Sequence, residues 1–412
     1  MVTKIGIRCI LCFLMTLIVP LCYGEITSEQ TLIFSEVEGK LLKANNSSIL
    51  TKIEILSSLK KQKKDSQYNL IVNDYLQFYY SLLSDYHAVL EVQNDVYPTI
   101  NSSLDISNYS AEPAVLNIVD KAKNVQVTMI NEAHHIAQHR VLTRGVLKQL
   151  YEIGYRFFAV EALSIFDNDS GDIRLSDGYY TQETIFADTI NFAREIGYEI
   201  IAYDLGYPTL AEREKEAAKK LYKNIFAEDI HAKVLIHVGY AHIDEKDMLA
   251  GYLKRLLNVE ILTIDQTKLR EKSDRKDEHE YYKKAVSIYN GDGPFVLKAE
   301  NGELWSASAN SFDVSVFWQR TQYVSGRAQW MKLGRIEWLV EGDLLCSEVP
   351  CVLEVFNGKE DSFLADKIPN DRIALYEKGD QAVLFLQKGH NFIRIKNSEG
   401  KPVGKKEIFL AR

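Results

Sequence analysis

Glutamate, aspartate and histidine recur in the middle of the chain at one kind of position, directly after a short apolar run. Carboxylates and imidazoles in such positions can move protons, activate water or hold a metal ion. The sequence has no serine-nucleophile elbow, phosphate-binding loop, dinucleotide-binding motif or His-Glu-x-x-His motif, so we expect Glu and His to carry the chemistry. The polar residues that follow the runs are Asn131, Glu132, His134, His135, Glu161, Asp204, Tyr240, His242 and Asp265.

The apolar runs have the length and composition of β-strands, and they alternate with helical patterns. This alternation predicts an α/β fold, with a mostly parallel sheet and helices on its faces. Because the carboxyl ends of parallel strands lie at one edge of a sheet, where ligands bind, we expect these polar residues to meet there. The runs are Val125–Ile130, Phe157–Val160, Glu199–Tyr203, Lys233–Val238 and Val259–Ile264, and the helical patterns are Arg140–Ile153, Thr181–Ile196 and Thr209–Ile230.

Several of these residues also have a purely structural interpretation. Glu132 can be a carboxylate at the start of a helix, where the helix dipole favours it. His135 and His139 are four residues apart, so they can present two imidazoles to a metal or be ordinary polar residues of a helix. His237 lies within an apolar run, as a packed core histidine does. Glu161 directly follows four apolar residues, so we expect it to be half-buried and paired with a His or Arg.

Three motifs within residues 120–266 are similar to those of a known superfamily. Asn-Glu-Ala-His-His at 131–135, then Arg144 and Glu161, and later Gly-Tyr-Ala-His at 239–242 resemble the erythromycin esterases, ChaN-like haem-binding proteins and Tiki/TraB proteins. Those families carry Gly-Glu-x-x-His or Gly-Glu-x-His after their first strand, a second Glu after the next strand and a late Gly-x-x-His. Arg213-Glu214 is similar to an arginine-containing helix of the ChaN-like members, and Asn131 stands where these families usually have glycine.

The esterase branch implies a hydrolase of esters or amides, in which His135 is the general base that activates water. It implies that Glu132 and Glu161 orient this histidine and hold the charge of the site. Arg144 would bind the substrate or stabilise the developing oxyanion, and His242 would be the last member of the cluster. We expect a small-molecule or peptide substrate, contacted by the remaining polar residues. Those residues are His134, His139, Asp204, Arg213 and Tyr240.

The two other branches imply different chemistry. The Tiki branch implies a divalent metal that acts on water as a Lewis acid. Its ligands would be His135, His139, Glu161 and His242. The ChaN branch implies haem binding without catalysis, and the histidines at 134, 135 and 139 are similar to its histidine-rich opening. The cofactor alternatives are therefore none, a divalent metal, or haem.

The start of the chain predicts export. Lys4 and Arg8, the apolar run Ile10–Leu21 and the small residue Gly24 form the three-part pattern of a secretory signal peptide at 1–24. An uncleaved anchor is the alternative, but the run is shorter than the roughly 20 apolar residues that a spanning helix needs. We therefore expect a secreted or periplasmic protein with no membrane span after signal cleavage.

Net charge and cysteine content narrow the possible partners and the compartment. A net charge of −8 without a dense Lys/Arg stripe argues against a nucleic-acid partner. Cys346 and Cys351 are the two cysteines outside the leader, and their spacing suits a small disulfide loop in an oxidising compartment. Two free thiols are the alternative.

The spacing of apolar residues and turns along the chain predicts its division into domains. Apolar residues three or four apart in Ser66–Val96 indicate helices, whereas short runs with turns after Asn290–Pro294 indicate β structure. The predicted α/β domain is thus preceded by a helical segment and followed by a small β-rich domain. The segments are the signal peptide at 1–24, the helical region at 25–112, the α/β domain with the site at 113–270, a linker at 271–294 and the β-rich domain at 295–412.

Overall fold

A computed structural model describes most of the chain after the predicted leader. The described residues are 27–44, 48–63, 65–93, 99–163, 166–168, 171–203, 209–341, 345–359 and 366–411. The predicted signal peptide at 1–24 and the predicted substrate residue Asp204 lie outside them. The chain divides into two compact units. One contains residues 1–94, 182–188 and 321–412, and the other contains residues 95–181 and 189–320.

The helices and strands of the described residues are numbered here in chain order. The helices are α1 Ser28–Lys43, α2 Ile49–Gln62, α3 Ser66–Leu82, α4 Tyr86–Glu91, α5 Ala114–Ala122, α6 Gln138–Glu152, α7 Thr184–Ile196, α8 Leu210–Leu221, α9 Leu249–Leu257 and α10 Glu280–Ile288. The strands are β1 Tyr109–Pro113, β2 Val127–Glu132, β3 Phe157–Val160, β4 Glu199–Ala202, β5 Val234–Gly239, β6 Ile261–Asp265, β7 Pro294–Ala299, β8 Val314–Trp318, β9 Tyr323–Val324, β10 Arg327–Ala328, β11 Ile336–Glu341, β12 Cys351–Asn357, β13 Asp371–Leu375, β14 Gln381–Leu386, β15 Gly389–Asn397 and β16 Pro402–Leu410. Within the described ranges, no helix has both the length and the apolar character to cross a bilayer.

A mixed eight-stranded sheet forms the centre of the second unit. Its strand order is β1-β7-β8-β6-β2-β5-β3-β4. The pairs from β8 to β4 are all parallel, whereas β7 pairs antiparallel with both β1 and β8. Helices connect the successive parallel strands, so the protein has the α/β architecture with a mostly parallel sheet that the alternation predicts.

The central strands are buried along their whole length, which explains their sequences. Every residue of β2, β5 and β6 is buried, and the apolar side chains on one face of these strands enter a core that also includes side chains of α8 to α10. Strands covered on both faces are apolar at consecutive positions, unlike the alternating strands of a sheet with one wet face. A polar side chain inside such a strand therefore needs a hydrogen-bonding partner within the protein.

The sheet continues past residue 270, the predicted end of the α/β domain. Strands β7 and β8 belong to this sheet, and β8 pairs in parallel with β6. The predicted linker contains α10, whose Tyr282 and Ala285 are fully buried. The turn cluster Asn290–Pro294 leads from α10 into β7 rather than into a new domain. Short strands with turns between them look alike in either setting, because sequence does not reveal which strands pair.

The first unit joins the two ends of the chain. Helices α1 to α4 share it with a four-stranded antiparallel sheet of order β13-β12-β15-β16 and the pairs β11-β14 and β9-β10. Arg372 of β13 donates to the carbonyl oxygen of Leu82, at the end of α3, at 2.8 Å. The predicted disulfide between Cys346 and Cys351 is present and leads into β12. Among the described residues from 323 onwards, the strands all pair antiparallel.

Candidate functional site

Three neighbouring strand ends hold the central residues of the site. Strand β5 lies between β2 and β3, and the three run parallel. Glu132, the last residue of β2, is in register with Gly239, the last residue of β5. Glu161 directly follows β3, and its N–H donates to the carbonyl oxygen of His237 at 3.0 Å. The register therefore places two carboxylates on either side of β5 at the carboxyl edge of the sheet.

The carboxylate of Glu132 is buried and contacts three side chains, one arginine and two histidines. Arg140 of α6 holds its carboxylate in a bidentate pair, with Nε 2.6 Å from Oε2 and Nη2 2.8 Å from Oε1. His237 Nε2 lies 2.9 Å from Oε2, and His134 Nδ1 lies 2.9 Å from Oε1. Burial favours the neutral acid, but Arg140 and His237 outweigh it and hold the pKa of Glu132 well below its usual 4.5. Glu132 is therefore ionised at neutral pH.

His134 lies between the two carboxylates. Its Nδ1 faces Glu132, and its ring stacks on that of Tyr180 with centroids 4.0 Å apart and planes at 14°. A methyl group on Gly239 would come within 2.5 Å of His134 Nε2 and 3.1 Å of Glu161 Oε2. The second nitrogen of His134 thus points towards β5 and Glu161. Its side chain is 13% exposed, whereas that of Glu132 is 2% exposed, so His134 is the more accessible member of this pair.

Glu161 has its own set of partners on the other side of β5. Arg213 of α8 donates to its Oε1 at 2.6 Å, and the N–H of Gly239 donates to its Oε2. His242 Nε2 lies 3.4 Å from Oε1. Burial favours the neutral acid, but His242 and Arg213 outweigh it and lower the pKa of Glu161 to about 2. Glu161 is paired with an Arg and a His, as its position after β3 predicts, but it is buried rather than half-buried.

His242 bridges two carboxylates. Its Nδ1 lies 2.8 Å from Glu214 Oε2, which also accepts the N–H of Leu249 at 2.8 Å. Its Nε2 faces both Glu161 and Arg213 Nη1, each at 3.4 Å. Burial favours the neutral ring, but the carboxylates of Glu214 and Glu161 outweigh it and raise the pKa of His242 above 6.5. This histidine therefore holds its proton to higher pH than an ordinary one.

His135 does not occupy the general-base position that the esterase resemblance implies. Its Nε2 lies 3.1 Å from Arg270 Nη1, and its Nδ1 lies 3.3 Å from the hydroxyl of Tyr240. Burial and the charge of Arg270 lower its pKa well below 6.5. Both ring nitrogens are thus engaged, and it is the neighbouring His134 that contacts Glu132. Sequence could not separate two adjacent histidines, because the local turn decides which ring faces the carboxylate.

His139 has a structural position rather than one at the substrate. It is 1% exposed, and its Nδ1 accepts the N–H of Ala133 at 3.0 Å. Burial lowers its pKa well below 6.5, so the ring is neutral. It fixes the turn between β2 and α6, and this turn presents His134 to Glu132.

The arginine on Glu132 is Arg140, whereas the resemblance points to Arg144. Arg144 is one turn further along α6, and its guanidinium lies over the ring of Phe192 at 4.0 Å. The two arginines are four residues apart, so either could lie towards the strand end. The start of α6 at Gln138 decides between them, because it turns Arg140 inwards, where its side chain is fully buried.

Next to this cluster, Asn131 connects the ends of three strands. Asn131 Nδ2 donates to the carbonyl oxygen of Tyr240 and to Asp265 Oδ1, both at 2.8 Å. Asn131 Oδ1 accepts the N–H of Gln266 at 2.8 Å. The asparagine thus ties the ends of β2, β5 and β6 together, which a glycine at this position would not do.

Several residues of the cluster were missed by sequence reasoning. His237 is buried in β5, as its place inside an apolar run predicts, but it also contacts Glu132 and lies 2.9 Å from the hydroxyl of Thr143. The strand pattern carries the only sequence signal for it, since a polar residue inside a buried strand requires a partner. Tyr180 and Arg270 were missed as well, and Arg140 and Glu214 were given no role in the site.

A cavity of about 740 Å³ lies elsewhere in the same unit. It runs along the β4 edge of the sheet and is lined by residues that include Asn168, Ile200, Lys223 and Asp229. Asn168 closes part of that edge, because its amide group accepts the N–H of Ile200 at 2.9 Å and donates to the carbonyl oxygen of Ile200 at 3.1 Å. None of the residues that line this cavity belongs to the Glu/His/Arg cluster.

The four candidate metal ligands do not form one group. His135 and His139 turn to Arg270 and to a backbone N–H, whereas Glu161 and His242 lie together at Arg213. Across the described ranges, no set of three or more His, Cys, Asp and Glu side chains is arranged to hold a metal ion.

The comparisons with known proteins show no family for this chain. No family model matches the sequence, and no curated protein matches it. A solved structure described as that of the type III effector HopBA1 is 16% identical to the chain. The match covers 41% of this chain and 87% of that one, with a TM-score of 0.27. At this TM-score the likeness supports no inference about fold or function.

Proposed function

We propose that this chain is an exported hydrolase of the ester or amide type, in which His134 activates water beside Glu132. The observation that carries the proposal is the contact of His134 Nδ1 with a buried, ionised carboxylate at 2.9 Å, on a ring that is itself partly exposed. A carboxylate on one imidazole nitrogen fixes the tautomer and leaves the other nitrogen to accept a proton. Export is proposed from the signal-peptide pattern at 1–24.

The partners of Glu132 suit it to this task. Arg140 and His237 keep the carboxylate ionised. The carboxylate can still accept a hydrogen bond from the Nδ1 of His134. The Nε2 of His134 then takes a proton from water as the water oxygen attacks the substrate carbonyl. Glu132 also stabilises the imidazolium that forms, as a carboxylate does in hydrolytic triads.

The second carboxylate cluster supplies the acid. His242 keeps its proton because Glu214 and Glu161 face it, so it can protonate the leaving oxygen or nitrogen. Arg213 balances the charge of Glu161. Two histidines with different surroundings thus give a base and an acid at one strand edge. The superfamily resemblance of residues 120–266 implies the same kind of chemistry, but it makes His135 rather than His134 the general base.

Histidine substitutions test the proposal directly. In the purified protein with 4-nitrophenyl acetate as probe, His134→Gln is expected to lower kcat by about 10²–10⁴-fold, the usual contribution of a general base. The exposed His231, changed to Gln, is the matched control and should leave kcat unchanged. A His134→Gln protein that keeps its circular dichroism spectrum and its full kcat would rule out the proposed role.

A haem- or metal-binding protein of the ChaN type is the second candidate. It is favoured by one feature: His134 and His242 are each 13% exposed, and each has its Nδ1 on a carboxylate. Metal-ligating histidines commonly have their second nitrogen on such a partner. Absorbance and elemental analysis of the purified protein distinguish the two candidates. A Soret band or a stoichiometric metal that His134→Gln removes, in a protein without esterase activity, would favour binding.

A further inference from the structure

Strand β16 forms one edge of the four-stranded antiparallel sheet. It is nine residues long, Pro402–Leu410, and it ends the strand order β13-β12-β15-β16 among the described residues. Two of its apolar side chains lie largely in solvent, since Val403 is 52% exposed and Phe409 is 63% exposed. A long edge strand with exposed apolar side chains is a template for pairing with another chain.

The outer edge of β16 has backbone groups that can accept a further strand. Gly358 donates its N–H to the carbonyl oxygen of His390 at 2.8 Å, so His390 and every second residue after it in β15 bond to β12. The residues between them bond to β16, where their partners are the even-numbered residues of 404–408. Bonding alternates along an antiparallel strand, so the N–H and C=O groups of the odd-numbered residues of 405–409 point away from β15.

The side chains of β16 are complementary to those of a second β16. Lys406 is the middle residue of the strand, and an antiparallel copy centred on it places Lys405 opposite Glu407 of the second copy. Positions 405 and 407 both have outward-facing backbone groups, so the two strands can also exchange hydrogen bonds there. This pairing is regular over 404–408, and the bulge in β16 falls beyond these positions. At each end, Val403 of one copy comes close to Phe409 of the other.

We infer that two copies of this chain associate through β16, with the two strands antiparallel about Lys406. The contact is isologous, so it uses the β16 edge of both copies and stops at a dimer. A contact along one strand buries a small area, and we therefore expect a weak dimer with a Kd in the micromolar range. The inference does not depend on the proposed hydrolase function, since β16 and the Glu/His/Arg cluster belong to different units.

The lysines of β16 are compatible with this pairing, although lysines on an edge strand ordinarily oppose it. An ammonium has three N–H donors, so Lys405 can bond Glu407 of the second copy in addition to its contacts within its own chain. Lys406 comes opposite its own copy, but its Nζ lies over the ring of Trp338, 5.4 Å from the centroid. Centring the pair on Lys405 or Glu407 instead would put that charge opposite its own copy and remove both Lys–Glu pairs.

Charge reversal tests the partner and the register together. Lys405→Glu would put two carboxylates opposite each other at both pairs, and Glu407→Lys would put two ammonium groups there. In sedimentation velocity over a concentration series, each variant should raise the Kd of the dimer by at least about tenfold. An equimolar mixture of the two variants should dimerise, because every pair across the strands is then a Lys–Glu pair. The double variant Lys405→Glu/Glu407→Lys should dimerise like the wild type.

Lys388→Glu is the matched control for these variants. Lys388 is an exposed lysine of the same unit, in the turn between β14 and β15, and the substitution changes the net charge by the same amount. It should leave the Kd of the dimer unchanged.

Proline at position 407 tests whether the backbone edge is used. Glu407→Pro removes an N–H that points away from β15, so the sheet keeps its own hydrogen bonds and only the outer edge loses a donor. The variant should be monomeric and keep the circular dichroism spectrum of the wild type. If it does not fold, the mixture of the two charge variants decides in its place.

A cysteine at the centre of the strand tests the register. Lys406→Cys places two thiols at directly opposite positions that exchange no backbone hydrogen bonds, where Cα atoms are about 4.5 Å apart. A disulfide spans that distance, so oxidation should give a covalent dimer. In Lys405→Cys the two thiols are diagonal neighbours about 7–8 Å apart, and far less covalent dimer should form.

Three outcomes would overturn the inference. A wild-type protein that stays monomeric throughout the series would leave this edge to a different partner or to none. A dimer that survives both charge reversal and Glu407→Pro would use another surface. Stronger crosslinking of Lys405→Cys than of Lys406→Cys would contradict the register about Lys406.

Discussion

Gly239 and His134 are packed so closely that residue 239 has no room for a side chain. A methyl group at Gly239 would lie 2.5 Å from both Cε1 and Nε2 of the imidazole. The ring cannot easily move away, because it stacks on Tyr180 and its Nδ1 contacts Glu132. The glycine φ of −82° is open to any residue, so the requirement is one of space and not of backbone conformation.

We therefore expect Gly239→Ala to displace His134 while the sheet stays folded. Displacing a general base by about 1 Å can cost about 10²-fold in rate, so the role proposed for His134 predicts a loss of kcat of that size with 4-nitrophenyl acetate. Gly145→Ala is the control, since Gly145 is exposed on α6 and a methyl group there meets its nearest atom at 3.4 Å. It should keep kcat and stabilise the helix by about 0.5–1 kcal/mol. Equal kcat values for the two variants would contradict this account of Gly239.

Two arginines of α6 should differ sharply in their effect on stability. Arg140→Met leaves the buried carboxylate of Glu132 without its bidentate partner, and removing one partner of a buried ion pair typically costs about 3–5 kcal/mol. Arg144→Met removes a cation–π contact with Phe192, which is worth about 0.5–2 kcal/mol. Urea unfolding at pH 7 measures both free energies of unfolding. If Arg144→Met lowers the free energy of unfolding as much as Arg140→Met does, Arg140 is not the more stabilising of the two arginines.

His139 should make the stability of the protein depend on pH. Its pKa is well below 6.5 in the folded protein, so below pH 6.5 the unfolded chain binds a proton that the folded protein does not. The free energy of unfolding should therefore fall as the pH drops below 6.5, by up to about 1.4 kcal/mol per pH unit from this one group.

His139→Asn isolates that contribution. The Asn side-chain oxygen can still accept the N–H of Ala133, but it does not titrate. Urea unfolding between pH 5 and pH 7 should show a shallower slope for the variant than for the wild type. His231→Asn, at an exposed site, is the control. An unchanged slope in His139→Asn would mean that the folded protein protonates this ring as readily as the unfolded chain does.

The sequence predicted the strand ends well and the identity of the contacts poorly. Glu132 and Glu161 follow apolar runs that are indeed neighbours of β5, because parallel strands connected by helices end at one edge. Sequence could not choose between His134 and His135, or between Arg140 and Arg144. In each pair, the local backbone decides which of the two side chains faces Glu132. The pattern of residue types does not encode that direction for residues one position or one helical turn apart.

Contacts between residues far apart in the chain were harder still to predict from the sequence. Glu214 and His242 are 28 residues apart, and Arg270 and His135 are 135 residues apart. Such pairs form only when two separate elements arrive at one strand edge. The end of the sheet was misplaced for a similar reason, because β8 reads as one more short strand until it is seen beside β6.

The amino-acid sequence by itself determined the α/β alternation, the polar residues at the strand ends and the cysteine pair, because periodicity and spacing are local properties. The tertiary structure decided which imidazole contacts which carboxylate and which arginine is buried with it. Hydrogen bonds and ion pairs depend on distances of about 3 Å, and only the packing of one element on another fixes distances at that scale.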